Sequence, residues 1–130
     1  MSDNPHNILV VEAGETLQTF LNQHLHGNGY HVQTIASGGE MFDHLRHDQP
    51  DLILLDLNLP DSDGLNHLHQ IQEQSPVPVI VAALQDKRNK RDVRDDRINA
   101  LRQGAEDYLT NSCEPIEIAF RIRFILNRKS

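Results

Sequence analysis

The chain has 130 residues, of which 38% are hydrophobic and 24% charged, and a formal net charge of −7. That length suits one domain with a core of its own, and the acidic balance argues against nucleic acid as the partner of this domain. Cys113 is the only cysteine, which excludes an internal disulfide and suits a reducing compartment.

Residues 7–11 form a β-branched run that Glu12 closes. Gly14 and Thr16 open a first helix, with Leu17, Phe20, Leu21 and Leu25 at helical spacing on one face. Gly27-Asn28-Gly29 ends it, as glycine and asparagine commonly do. A second strand over 30–35 alternates imperfectly, and Ser37-Gly38-Gly39 turns into a helix striped by Met41, Phe42 and Leu45. Residues 51–56, DLILLD, make a third strand, and Leu65, Leu68 and Ile71 mark a third helix. A fourth strand spans 77–84, a fourth helix lies within 93–103, and 105–110 is a more polar fifth strand. Pro115, suited to a first helical turn, opens a last helix that runs to about residue 127.

Alternating strands and helices predict a parallel α/β sheet with helices on both faces. The expected fold is a flavodoxin-like doubly wound (βα)5 sandwich, its five-stranded parallel sheet ordered 2-1-3-4-5. Strands one, three and four are near-continuous apolar runs, as strands buried on both faces should be; strands two and five are mixed, as edges should be. The expectation is one domain over 1–130 with a core at about 7–127; an effector domain after Ser130 stays open. The longest apolar runs, 8–11 and 77–84, fall far short of a membrane span. The N-terminus shows no signal-peptide pattern, so a cytoplasmic location without membrane contact is expected.

Sheets of this order bind ligands beyond the C-terminal strand ends, at the switch point between strands one and three. Glu12 and Asp56 end those two strands. Two acids there are either solvated strand ends or a magnesium site. A hard cation takes one or two carboxylates, a carbonyl and waters, and completes its shell with phosphate oxygens.

The stretches ILVVE (8–12), PDLILLDLNLPDSDG (50–64), PVIV (78–81) and GAEDYL (104–109) resemble, in this order, the response regulator receiver family of two-component phosphorelay signalling. The resemblance covers essentially the whole chain. It implies that Asp56 accepts a phosphoryl group from a sensor histidine kinase or a phosphotransfer protein. It also implies that Glu12, Asp56 and the backbone carbonyl of Asn58 hold Mg2+, and that output passes through protein contacts rather than enzymatic turnover.

The departures from that family are equally specific. Receivers usually carry two adjacent acids after strand one, a threonine or serine ending strand four, and Lys-Pro after strand five. Here those positions hold Ala13, Ala83 and Asn111-Ser112. Each loss removes a charge or hydrogen bond on the order of 1–3 kcal/mol. Weak magnesium binding and slow phosphorylation are therefore expected. The alternative is a degenerate, phosphorylation-independent interaction module on the same fold. Tyr108, the aromatic that family members rotate on activation, is present without the hydroxyl it would follow. A flavin-binding or enzymatic reading is set aside, because Glu12 and Glu15 stand where a phosphate-cradling loop would lie.

Other candidates are weaker. Asp61-Ser62-Asp63-Gly64 reads as a turn, since Leu59 and Gln70 occupy positions a calcium loop keeps acidic. His24 and His26, like His67 and His69, are two apart on helices and diverge, whereas His44 and His47 can share a face. Cys113 is expected to be a packed small residue. The segment 87–97 is longer than in usual receivers: a solvated charged loop, a source of the missing cation through Lys87 or Arg88, or a docking patch. On the last helix Ile118, Ala119, Ile122, Ile125 and Leu126 form the arc expected to face the sheet. Ile116, Phe120 and Phe124 form a second arc, which either tucks against helix four or serves a homodimer.

Overall fold

The apolar runs become strands because each is bordered by polar or glycine-rich turns and has helices to cover both its faces. The structure, a computed structural model, describes residues 5–59, 61–84, 93–110 and 113–129. In chain order the elements are β1 (Asn7–Val11), α1 (Glu15–Gly27), β2 (His31–Ile35), α2 (Gly38–His47), β3 (Leu52–Asp56), β4 (Asn58–Leu59), β5 (Ser62–Asp63), α3 (Gly64–Gln74), β6 (Val79–Ala83), α4 (Val93–Arg102), β7 (Asp107–Thr110) and α5 (Pro115–Lys129). The main sheet runs β2-β1-β3-β6-β7, all parallel. With the small β4–β5 ribbon set apart, this is the expected 2-1-3-4-5 order of the flavodoxin-like fold.

Strand alternation sorts the core into two layers. Leu9, Val11, Ile53, Leu55, Val79 and Val81 face Met41 and Leu45 of α2, Leu68 and Ile71 of α3, and Ala100 of α4. Ile8, Val10, Leu52, Leu54, Ile80 and Ala82 face Leu21 and Leu25 of α1 and Ile118, Ile122, Ile125 and Leu126 of α5. β3 and β6 are buried at every residue, whereas the edge strand β2 is partly exposed along its length. Among the described residues no helix is long and apolar enough to cross a membrane.

Several boundaries move from their expected places for local reasons. β2 starts at His31, because the amide of Tyr30 still donates to the Leu25 carbonyl at the end of α1. The fourth strand of the sheet begins at Val79 rather than 77; Pro78 has no N–H to give the ladder. The fifth begins at Asp107 rather than 105, since the Ala105 amide is spent on the Ala100 carbonyl where α4 closes. There Gly104 takes φ +102°, and a Cβ would stand 2.9 Å from Gln72 Nε2. Residues 93–97, expected in part as loop, are the opening turns of α4, and Asp96 among them is buried. Lys87 and Arg88 lie outside the described residues, as do Asn111 and Ser112. Phe20, expected on the buried face of α1, is 43% exposed.

Candidate functional site

Glu12 and Asp56 are placed by the sheet itself. β1 and β3 pair Val11 with Leu55, so the next residue of each strand brings the two acids side by side at the C-terminal edge. The flanking amides extend the ladder past the strand ends: Glu12 N–H donates to the Ile35 carbonyl and Leu57 N–H to the Ala82 carbonyl, both at 2.9 Å. Both acids are buried, Glu12 at 2% and Asp56 at 3% exposure. Glu12 is oriented from the start of α1. Its Oε2 accepts the Gly14 amide at 2.9 Å, and its carbonyl accepts the Gln18 side-chain amide at 2.7 Å.

Burial pushes the Asp56 carboxyl up to about 7, and the neighbouring Glu12 charge adds to it. A hydrogen bond between the two acids acts in the same direction, against the stabilising amides of Asn58 and Leu57. The Asp56 carboxyl therefore holds its proton more readily than an exposed aspartate does. Among the described residues Asp56 Oδ1 has no hydrogen-bond partner. An orphaned buried oxygen in an oxygen-only set suits a hard cation or a group that brings its own positive charge.

Asn58, named for its carbonyl, sits in β4, paired with Asp63 of β5. The expected turn over 61–64 is thus a short antiparallel ribbon leading into α3. Ala13 is exposed and places a methyl where a second acid would stand. Ala83 and Tyr108 are both 5% exposed and belong to the same apolar cluster. Among the described residues no group of three or more His, Cys, Asp or Glu converges as a metal site. His67 and His69 do diverge: His67 is buried, while His69 faces Glu73 across 3.3 Å on the surface. Cys113 is half-buried against the cluster beneath α1 and α5.

Three participants were not legible as such in the sequence: Asp61, His67 and Gly38. Asp61 Oδ1 accepts the Gly38 amide at 3.0 Å and Oδ2 the Gly39 amide at 2.9 Å, tying the ribbon to the start of α2. These amides hold the Asp61 carboxyl below the usual carboxylate range. The signal available was the Ser37-Gly38-Gly39 helix start, which leaves amides for an acid from elsewhere.

On α5 the outer arc is open. Ile116, Phe120 and Phe124 are 58%, 55% and 64% exposed, so neither phenylalanine tucks against α4. Arg123 lies over the Phe120 ring at 5.8 Å and Arg128 over the Phe124 ring at 5.5 Å. Arg121 bridges Asp107 of β7 at 2.7 Å and Glu117 at 3.0 Å, and Arg128 also bonds Glu106.

Known proteins resemble this chain in sequence and in fold. The TorCAD operon transcriptional regulatory protein TorR of Escherichia coli (strain K12) is 36% identical over 124 residues, 95% of this chain and 51% of TorR. The alkaline phosphatase synthesis transcriptional regulatory protein PhoP of Bacillus subtilis (strain 168) is 34% identical over 122 residues, 93% of this chain and 48% of PhoP. The chain thus spans about half the length of the curated relatives it matches. Among solved structures, the receiver domain of the TMAO respiratory system response regulator TorR superposes with a TM-score of 0.82 at 35% identity, covering 95% of this chain and 98% of that one. The BeF3-activated N-terminal receiver domain of Klebsiella pneumoniae RstA gives 0.81 at 25% identity, covering 92% and 97%. Residues 8–123 match the response regulator receiver domain as a family, and this chain belongs to it: a receiver domain of two-component signal transduction.

Proposed function

We propose that Asp56 is the phosphoacceptor of this receiver and takes its phosphoryl group from the phosphohistidine of a sensor histidine kinase or a phosphotransfer protein. The observation that carries this is the buried Asp56 Oδ1, without a hydrogen-bond partner among the described residues, beside Glu12 at the strand switch point. A carboxylate oxygen of Asp56 bonds to phosphorus as the P–N bond breaks, and the donor imidazole keeps the electron pair. The attacking carboxyl must be ionised, so the proton that burial favours on Asp56 has to leave to water before the attack. The chain's own oxygens fit magnesium: Glu12, Asp56 and the Asn58 carbonyl would hold it. Bound there, it supplies positive charge against the phosphoryl oxygens. The Gly14 amide orients the Glu12 carboxylate through Oε2, and the Gln18 side-chain amide fixes the Glu12 backbone through its carbonyl.

The site supports slow loading. Ala13 leaves the cation one carboxylate short, and Ala83 offers no hydroxyl to the phosphoryl group. The signal then leaves through protein contacts, for which the Ile116, Phe120 and Phe124 face is the proposed surface, joining two copies. The domain is proposed to act in the cytoplasm without binding nucleic acid itself. A second reading, contact without phosphorylation, is favoured by one observation: Tyr108 and Ala83 are closed into the same apolar cluster, with no hydroxyl for the ring to follow.

Incubation with acetyl phosphate and magnesium chloride, read by intact mass, separates the two. Phosphorylation predicts a phosphoryl adduct that Asp56→Asn abolishes. An unmodified wild type under conditions that load ordinary receivers establishes the second reading.

A further inference from the structure

The β4–β5 ribbon is held from outside the phosphorylation site. Asp61 lies in the turn between β4 and β5, and each of its carboxylate oxygens accepts one amide from the first turn of α2. Helix-opening amides have no acceptor within the helix, and the positive end of the helix favours an anion. Ser37 Oγ takes the next amide, that of Glu40, at 3.2 Å. Asp61 therefore supplies, from more than twenty residues away in sequence, what a local cap leaves undone.

Behind this contact stands His67 of α3, with 5% exposure. Its Nε2 lies 3.8 Å from Asp61 Oδ1, and its ring meets Phe42 of α2 edge-on at 5.9 Å. Its Nδ1 is buried, with no hydrogen-bond partner among the described residues. A Cβ on Gly38 would fall 2.2 Å from His67 Nε2, so the histidine occupies space that only glycine leaves free. Asp61, His67 and Gly38 thus form one joint between α2, the ribbon and α3.

We infer that Asp61 is a positioning residue for the phosphorylation site. By clamping the ribbon to α2 it fixes the Asn58 carbonyl, and so sets how well Glu12, Asp56 and Asn58 together hold magnesium. The inference rests on the phosphoacceptor reading above. Register gives the mechanical link. Asn58 pairs with Asp63 and Leu59 with Ser62, so the residue anchored at the turn governs the strand that carries the carbonyl. Ala13 makes the link matter more, since the chain offers two carboxylates and one carbonyl where ordinary receivers have a further acid. An oxygen fixed before the ion arrives spares the cost of ordering it on binding. Groups behind a metal's direct ligands commonly change affinity by about 10–100-fold.

The test compares wild type, Asp61→Ala and Asp61→Asn. Each is titrated with magnesium chloride, followed by the amide shifts of Asp56 and Asn58, and its phosphorylation by acetyl phosphate is timed over the same magnesium range. Asp61→Ala is expected to raise both the magnesium Kd and the half-saturating magnesium about tenfold, while the rate at saturating magnesium returns to that of wild type. Asp61→Asn keeps one acceptor oxygen and falls between the two; should Asp61→Ala not fold, it carries the same comparison alone. A variant with the wild-type Kd, or one slowed equally at every magnesium concentration, overturns the positioning role. A wild type that neither binds magnesium nor gains a phosphoryl group overturns the phosphoacceptor reading and the positioning role together. Failure of the positioning role alone leaves the wild type active.

Discussion

Glu12 and Asp56 end adjacent parallel strands, lie buried together and share a hydrogen bond that helps hold the Asp56 carboxyl up at about 7. Burial is the larger cause and the Glu12 charge the next. An unfolded aspartate titrates near 3.8. Between that value and about 7 the unfolded chain has released a proton that the folded chain still holds. Stability is therefore full below the lower value and falls as pH rises through this window. In magnesium-free buffer, Asp56→Asn removes the penalty. It is expected to be more stable than wild type at pH above about 7, by on the order of 2–4 kcal/mol, and to converge with it in acid. Urea unfolding of both proteins across the window checks this; a difference that does not change with pH refutes it.

Restoring the missing acid should strengthen the site. Ala13 is exposed beside Glu12, so Ala13→Asp has room to add a carboxylate without disturbing the core. Charge count among the ligands is a main determinant of affinity for hard cations. Magnesium binding is expected to tighten about tenfold, or ~1.4 kcal/mol, with faster phosphorylation at Asp56. Calorimetric titration of the two proteins is the measurement, and equal affinities would count against Glu12 and Asp56 as ligands.

The fold was legible because its physics is local and repetitive. Runs such as DLILLD, short, apolar and bounded by turn residues, suit central strands, and the α5 arc from Ile118 to Leu126 points one way at helical spacing. Strand ends were less so: whether Ala105 begins β7 or closes α4 depends on which carbonyl its amide finds. In the site, Glu12 and Asp56 were readable because strand termini at a switch point converge by topology. Asp61 looks like part of a turn in the sequence, because its partners, Gly38 and Gly39, follow from tertiary packing. His67 gives no sign of burial beyond its helical position, and the helical period that points Phe20 inward is not the one the α1 surface uses.

The joint behind the ribbon yields a packing prediction. Gly38→Ala drives a methyl into the His67 ring, and an overpacked core costs roughly 1–3 kcal/mol. His67→Ala removes the ring and makes room for that methyl. In a double-mutant cycle the two changes should be strongly non-additive, with Gly38→Ala nearly neutral when His67 is already alanine. Chemical denaturation of the four proteins measures it; additive costs would show that the ring does not occupy this space.

The outer arc of α5 leads to assembly. Ile116, Phe120 and Phe124 lie one turn apart and are each more than half exposed, an arrangement with no role in the monomer's core. Ile98 and Leu101 of α4, 43% and 42% exposed, add apolar surface on the helix across β7. Burying a phenylalanine at an interface is worth roughly 1.5–3 kcal/mol, and one patch meeting its own copy closes with two-fold symmetry. Arg123 and Arg128 already lie over the two rings, so their charged ends can stay at a wet rim while the rings are covered. Arg121 is held by Asp107 and Glu117 within one chain, which leaves the apolar stripe as the main source of affinity. A homodimer independent of phosphate is expected. Phe120→Ala with Phe124→Ala should weaken it by several kcal/mol while leaving the fold intact, because neither ring supports the core. Sedimentation of the two proteins over a range of concentrations decides it: a wild type that stays monomeric, or a dimer indifferent to the loss of both rings, removes this face as the interface.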